Sequence, residues 1–468
     1  MSILRQTYCT LLLCLQSLNI SLIYAWPSST LKLFASTGTT LNRPMTDTEL
    51  ALLGSLSSIS PLLSTPLSAF LLDKLGRKYT TILCAMPQVV AWALISVFSR
   101  VEVILFSVFI GGFGGCMFLV IPNYISEICQ ETIRGTLTSG AIISYGVGLM
   151  VSYILGGNLT YHNMNYACLA LVVIGVLLLN FVKETPTYLM KKGLDNEAAK
   201  SIAFYRSQSP SSKEVAEEMN VLRRALNPVH ESVPEEEKLQ TESQVKEKLS
   251  ILQFIKKSQS TRRGLVIILG LYVIAICQGL TIVQVYSEPL FEEALPSVSA
   301  NLTSVLFAVT NTIAGIFAAY LLDFWGRRPV MIYSSIGTGL CCIALGAQIQ
   351  LHWGPHWLTA VLIYTFCITC TCGAGTVPYV MIAELFLPEV KSVMSMIAVE
   401  FGWICNFLIL FIFNPLVSAV GLGPIFYVFA FISVFSTVFS ILYLPETKGL
   451  TVDIIQTLLV PKKRLQRS

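Results

Sequence analysis

The charged residues of this chain recur in sets suited to reversible ion pairing. Asp73-Lys74-Leu75-Gly76-Arg77-Lys78 returns as Asp323-Phe324-Trp325-Gly326-Arg327-Arg328. Glu127, with Arg134 after it, returns as Glu384 with Lys391 after it. Glu184-Thr185-Pro186 returns as Glu446-Thr447-Lys448-Gly449. Three motifs in one order at nearly fixed spacing mark an internal repeat, so the two halves are related. In each cluster the glycine, Gly76 or Gly326, permits a tight turn. The guanidinium of Arg77 or Arg327 can offer bidentate hydrogen bonds to a carboxylate. Glu127 and Glu384 are the expected partners. With Asp73, Lys78, Arg134, Asp323, Arg328 and Lys391 they form a candidate latch. It would hold two helical bundles together at one end in one conformation and release them in another. The plainer alternative is a pair of basic loops that only set topology; the matching acids in both halves favour the latch.

Covalent chemistry finds little support. His162, His230, His352 and His356 lie in loops without metal-ligand spacing, and no Gly-x-x-x-x-Gly-Lys-[Ser/Thr] phosphate loop occurs. Of the thirteen cysteines all but Cys129 fall in apolar runs, which implies no disulfide framework. Cys367, Cys370 and Cys372 have metal-like spacing but no histidine beside them, and small polarizable residues are ordinary packing material between membrane helices. Neither an enzyme nor a bound metal or cofactor is expected.

The elements that must position these charges are membrane helices. Hydrophobic residues make up 54% of the 468 and charged residues 12%, about half the charge of a soluble globular chain. The mean hydropathy of +0.68 agrees. Apolar runs of spanning length fall at about 7–26, 50–72, 79–98, 103–125, 136–157, 165–182, 264–287, 302–322, 329–349, 357–383, 393–414 and 420–443. With the N-terminus inside, only Lys32, Arg43 and Arg100 of the 31 basic residues fall in outer loops, which satisfies the positive-inside rule. Both termini are therefore expected in the cytosol. The small net charge of +4 gives no case for nucleic acid. The first run is read as a span and not a cleaved signal, because Gln16 and Asn19 interrupt it.

The expected fold is all-α: residues 1–182 as one six-helix bundle and 264–443 as a second, with a cytoplasmic helical segment at 183–263 and a tail at 444–468. Within the polar segment, Ser211-Ser212-Lys213-Glu214 has capping-box spacing ahead of Val215, Met219 and Leu222. A second helix is expected from Asp195 through Tyr205, and 229–248 reads as a solvated loop.

Taken together, Asp73 to Lys78, Pro122-x-Tyr124-x-x-Glu127, Glu184-Thr185-Pro186, Asp323 to Arg328, Pro378-Tyr379 with Glu384-Leu385-Phe386, and Pro445 to Gly449 resemble the signatures of the sugar porter family of the major facilitator superfamily. Trp26-Pro27-Ser28 and the short N-terminal tail look most like its insect facilitated trehalose transporter branch. The resemblance implies a plasma-membrane carrier that moves a sugar, trehalose or a hexose-like solute, by alternating access around a central site. Such carriage would be facilitative.

At several positions this chain departs from the residues that family members usually carry. Ser107 stands for an arginine and Ile142 for a glutamine. Ala275 and Ile276 replace a glutamine pair, Thr281 an asparagine, Tyr379 a tryptophan, Gly402 an asparagine and Thr187 an arginine. Tyr286, Asn311 and Trp403 are retained, and Gln278 and Gln284 lie elsewhere on the seventh span. A sugar site works by pairing hydroxyls, so the lost amides should alter recognition. A sensor on the carrier fold and a carrier of another organic solute are the alternatives; the retained latch motifs favour a carrier. The candidate binding residues are Gln278, Thr281, Tyr286, Asn311, Tyr379, Glu400 and Trp403. Glu400 stands alone as a carboxylate roughly 10 Å inside a span, where a charge costs about 2.5–3.5 kcal/mol. It is read as a ligand acceptor, a proton carrier or a neutral structural acid. Asn158-Leu159-Thr160 and Asn301-Leu302-Thr303 are glycosylation sequons in expected outer loops.

Overall fold

Two glycines decide where the chain turns between adjacent spans. Gly76 and Gly326 hold φ of 87° and 93°, a region that side chains enter at a cost. The computed structural model describes residues 2–226, 258–296, 298–386, 388–450 and 452–459. Among them, 11 helices are long and apolar enough to cross a bilayer. One of these, Asp47–Val97, runs for 51 residues. That is about twice a spanning length, and it breaks at Gly76, so it supplies the second and third spans. The count is twelve, in two six-helix bundles.

The N-terminal bundle begins with Ser2–Ala35, Asp47–Ile59 and Pro61–Val97. Val101–Gly111 then passes through a 3₁₀ turn at Gly112–Cys116 into Met117–Ile128, and Glu131–Asn158 and Tyr161–Leu178 complete the set. Its core is aromatic, with Trp26, Trp92 and Tyr124 fully buried. The first helix continues past residue 26, through Pro27, to Ala35. Packing holds it: the Trp26 ring lies 5.6 Å from Phe34 and 6.0 Å from Trp92, and its Nε1 donates to Asn165 at 3.0 Å.

In the C-terminal bundle the spans are Gln259–Cys277 with Leu280–Val285 and Ser287–Ala294, Ala300–Trp325, Arg327–Leu351, His356–Cys372 with Val377–Glu384, Pro388–Val420, and Leu422–Tyr443. Phe291, Phe307, Phe366 and Phe426 fill its core. Its seventh and tenth spans are broken. Gly279 at φ 94° interrupts one, and 373–376 interrupts the other. The bundles meet along two seams, the second span against the eleventh and the fifth against the eighth.

Between the bundles lie Pro186–Lys191, Asp195–Arg206 and Lys213–Leu226. Ile202, Ala203 and Val215 bury together with Met219 and Leu222 around them, and Ser212 Oγ accepts from the Val215 N–H. Arg206 holds Glu218 through 2.9 and 2.6 Å bonds and reaches the Ile128 carbonyl. This couples the helical segment to the end of the fourth span. The expected loop at 229–248 lies outside the described residues.

Candidate functional site

The repeated charges build one structure twice. In the N-terminal half, Arg77 donates from Nε at 2.9 Å and Nη2 at 2.7 Å to the same Glu127 oxygen, and from Nη1 to the Leu72 carbonyl. In the C-terminal half, Arg327 Nη2 donates to Glu384 at 2.7 Å and Nη1 to the Leu322 carbonyl. Each arginine thus also caps the carbonyl end of the helix before its own turn. The side chains of Arg77 and Glu127 are 11% and 16% exposed, those of Arg327 and Glu384 13% and 26%. Such pairs are desolvated enough to cost energy when one partner is lost.

A second carboxylate completes each cluster. Glu184 accepts the backbone N–H of Arg77 at 2.9 Å and of Lys78 at 3.0 Å. Glu446 accepts those of Arg327 and Arg328, both at 3.1 Å. Each therefore caps the first turn of the following helix, where free N–H groups and the helix dipole favour an anion. Burial raises the Glu184 carboxyl above its usual range, against backbone donors at Thr185, Arg77 and Lys78 that pull it down. Gly76 and Gly326 are required for closeness as well as for φ: a Cβ on Gly76 would collide with Glu184, and one on Gly326 with Glu446. Thr447 Oγ1 adds a 2.6 Å bond to Glu384. The repeat pointed to Glu184 and Glu446 in the sequence, but not to their hold on the opposite backbone.

Both networks stay within their own half. Arg77, Glu127 and Glu184 belong to the first bundle, Arg327, Glu384 and Glu446 to the second. Arg77 and Arg327 thus meet the expected partners Glu127 and Glu384, and in this conformation the pairs form two separate braces, one in each half. The geometric reason is that each arginine reaches the nearest helix end, and that end lies in its own bundle. Asp73 and Arg134 are exposed. Asp323 stands 3.9 Å from Arg327 with its side chain 83% exposed. The Lys78 ammonium turns to the Asn180 carbonyl and the Arg328 guanidinium to that of Ile441. The Lys391 side chain lies outside the described residues.

Contacts between the halves gather at the opposite end. The Tyr153 hydroxyl donates to the Gln284 carbonyl, Asn301 Nδ2 donates to the Tyr153 carbonyl, and the Glu288 N–H donates to Ser28 Oγ at 2.8 Å. Lys32 pairs with Glu292. These ties draw the first and fifth spans against the seventh and eighth. Asn158 is exposed at this end, whereas the Asn301 amide is committed to the Tyr153 contact.

Between the two ends lie the candidate binding residues. Trp403 stacks on Tyr24 of the first span at 6.0 Å and approaches Phe118 of the fourth at 6.2 Å. It therefore sits on the seam. Tyr286 stacks on Phe413 at 5.1 Å, donates to the Leu410 carbonyl at 3.0 Å, and packs against Gly54 of the second span. Glu400 is half-buried beside Thr65 of the second span, and its Oε1 is buried without a partner. Asn311 accepts from Thr371 at 2.7 Å inside the second bundle. Gln278 ends the first segment of the broken seventh span, with Oε1 3.6 Å from Cys370 Sγ and Nε2 unpartnered. Thr281 is half-buried just after the break. Tyr379 is 58% exposed, its ring 5.5 Å from Tyr272.

The structure thus gathers Glu400, Trp403 and Tyr286 on the seam and leaves Asn311 and Gln278 within the second bundle. Thr65, Tyr24 and Phe118 join the seam group. They carry no sequence signal of their own, since ordinary packing uses the same residue types. Ser107 spends its hydroxyl on the Val103 carbonyl at 2.6 Å.

Residues 19–459 match the sugar (and other) transporter family. The chain is 25% identical to the facilitated trehalose transporter Tret1 of Culex quinquefasciatus, over 88% of this chain and 78% of that one. For the Bombyx mori protein of that name the identity is also 25%, over 91% and 82%. For the Aedes aegypti one it is 25% over 91%, but only 51% of the longer relative is covered. Among solved structures, the inward open xylose transporter XylE from E. coli superposes with a TM-score of 0.76 at 17% identity, covering 96% of this chain and 98% of that one. XylE bound to 6-bromo-6-deoxy-D-glucose gives 0.71 at 18%, covering 97% and 98%. The fold is that of the major facilitator superfamily, and the matched length, the twin braces and the twelve spans agree: this chain is a membrane carrier, not an enzyme, and belongs to the sugar (and other) transporter family.

Proposed function

We propose that this chain carries a sugar across the plasma membrane by alternating access, with trehalose and hexose-like solutes the first to test. The observation that carries this reading is the asymmetry of the contacts. The halves are tied to each other at one end, while at the other the ion pairs among the described residues lie within one half or the other. Two stiff bundles hinged in this way can rock about the seam that holds Trp403 and Tyr286. The named relatives supply the solute class. The excess of basic residues toward the braced end supports a cytosolic position for that end and for both termini. On this reading residues 1–182 and 264–443 are the moving bundles, 183–263 the cytoplasmic helical segment and 444–468 the tail. The bilayer is the partner that the exposed apolar helix faces require.

Uptake of a radiolabelled panel of trehalose, hexoses and polyols in oocytes tests the proposal. Saturable uptake of at least one sugar above water-injected controls is expected. Background uptake of every sugar, with the protein present at the surface, would overturn it.

A further inference from the structure

The outer segment of the seventh span is approached from two sides. Ser287–Ala294 is set off from the rest of that span by Gly279 at φ 94° and by the joint at Tyr286. Toward the first half it offers the Glu288 N–H to Ser28 and the Glu292 carboxylate to Lys32. The Glu288 carboxylate feels the same ammonium. Glu293 faces elsewhere: at 3.6 residues per turn it stands about 120° around the helix from Glu288 and Glu292. There it borders a cavity of about 50 Å³ shared with Gln348, His352, His356 and Thr359. That is room for a few water molecules.

The far wall of this cavity is fixed. His352 closes the ninth span in the left-handed region, at φ 49°. Gln348, buried one turn earlier, accepts the Gly354 N–H and donates to the Gly354 carbonyl, both at 2.9 Å. The loop that carries both imidazoles is thus clamped to its own span. A segment that leaves Lys32 and Ser28 moves toward its own bundle, which brings Glu293 into the cavity and onto the histidines. Other titratable groups on the neighbouring elements are few. The first span also brings Tyr24, the fifth Tyr153, and the tenth Cys367 and Tyr364, whose ring lies 6.3 Å from Phe291. Tyr427 of the twelfth packs on Gly346 of the ninth. The eighth span brings no titratable side chain until Tyr320, toward its other end.

We propose that Ser287–Ala294 is a strap with two seats, on Lys32 and Ser28 when the outer end is closed and on His352 and His356 when it is open. Histidine changes charge between about pH 5 and 8. Acid on the outer side therefore places imidazolium opposite Glu293, strengthens the second seat and favours opening. This rests on the alternating-access reading and on this end facing outward.

The test reads opening directly and needs no solute. Ser28 is buried under the strap, so the thiol of Ser28→Cys is reached from outside only when that end opens. The full-length protein in oocytes is labelled with a membrane-impermeant maleimide at about pH 7.5 and 6, on the two sides of the ordinary histidine value. Each rate is divided by that of Thr37→Cys, exposed in the first outer loop, which cancels the pH dependence of the reagent. The native cysteines are buried or half-buried, and the parent supplies the background. The normalised rate should rise about two- to fivefold on acidification, the size of an exposed ion pair. Glu293→Gln, and His352→Gln combined with His356→Gln, should each remove that rise. Lys32→Gln should speed labelling at both pH values and keep it. A flat or falling rate in Ser28→Cys would overturn the proposal, as would a rise that survives in the double histidine variant. Either result leaves sugar carriage standing, because labelling does not depend on it. Background uptake of every sugar with the rise present would instead sink the sugar reading and support the strap. If Thr37→Cys is not reached from outside, this end does not face outward and the proposal falls.

Discussion

Glu184 grips the backbone of Arg77, not its guanidinium: the carboxylate accepts the Arg77 N–H at 2.9 Å, while the Arg77 side chain turns to Glu127. One arginine is thus fixed at both ends, and the turn at Gly76 is held from the sixth-span side.

Gly76→Ala should be more damaging than a surface alanine. A Cβ at this positive-φ, extended-ψ backbone costs about 1–3 kcal/mol, and that Cβ would displace Glu184. Thermal denaturation in detergent should show a lower midpoint, and Gly326→Ala should behave alike through Glu446. Glu184→Gln, which keeps an acceptor oxygen, should be milder than Glu184→Ala. Equal midpoints for Gly76→Ala and the parent would remove the packing argument.

Arg77→Ala and Arg327→Ala should each cut uptake sharply with surface protein largely retained, since removing one member of a buried pair costs about 3–5 kcal/mol. A double-mutant cycle separates the two braces. Arg77 with Glu127 should couple by about 0.5–3 kcal/mol, whereas Arg77 with Glu384 should add within about 0.5 kcal/mol. Strong coupling between residue 77 and residue 384 would restore a bridge between the halves.

Closure at the end away from the braces can be trapped. Ser28 Oγ and the Glu288 backbone nitrogen are 2.8 Å apart across the halves. Ser28→Cys combined with Glu288→Cys should form a disulfide under mild oxidant, stop uptake, and recover with reductant. The single variants should ignore the oxidant. Full transport in the oxidised double variant would show that this end need not open.

The two sequons should differ. The Asn158 side chain is exposed and bonds only within its helix. Asn301 presses its amide nitrogen, the atom a glycan would occupy, onto the Tyr153 carbonyl and against Gly157. Asn158→Gln should abolish a glycosidase-sensitive gel shift that Asn301→Gln leaves in place. A shift lost only with Asn301 would mean that the halves are apart at this end when the glycan is added.

Periodicity and charge made most of the architecture legible before any coordinates. Runs of spanning length can only be membrane helices, and the repeated Gly76 and Gly326 motifs announced two related halves. The break at Gly279 was less visible, because Leu280 to Val285 continues the apolar run and hydropathy does not register φ. The continuation of the first helix through Pro27 was hidden for a similar reason. The packing of Trp26 on Phe34 and Trp92, which holds that helix together, is formed by distant parts of the chain.

What the sequence determined by itself is the solvent, the span count, the repeat and the identity of the charges, all of which depend on local composition and spacing. The repeat already named Glu127 and Glu384 as partners; that each pair closes within its own half, and that Glu184 and Glu446 hold the backbone, was decided only in the tertiary structure. Arg77 and Arg327 each carry five donors that any nearby carboxylate would satisfy, and helix packing selects partners inside their own half. The place of Glu400 was settled in the same way. Its depth in a span could be counted from Val393, but its place beside Thr65 on the seam exists only once the second and eleventh spans come together.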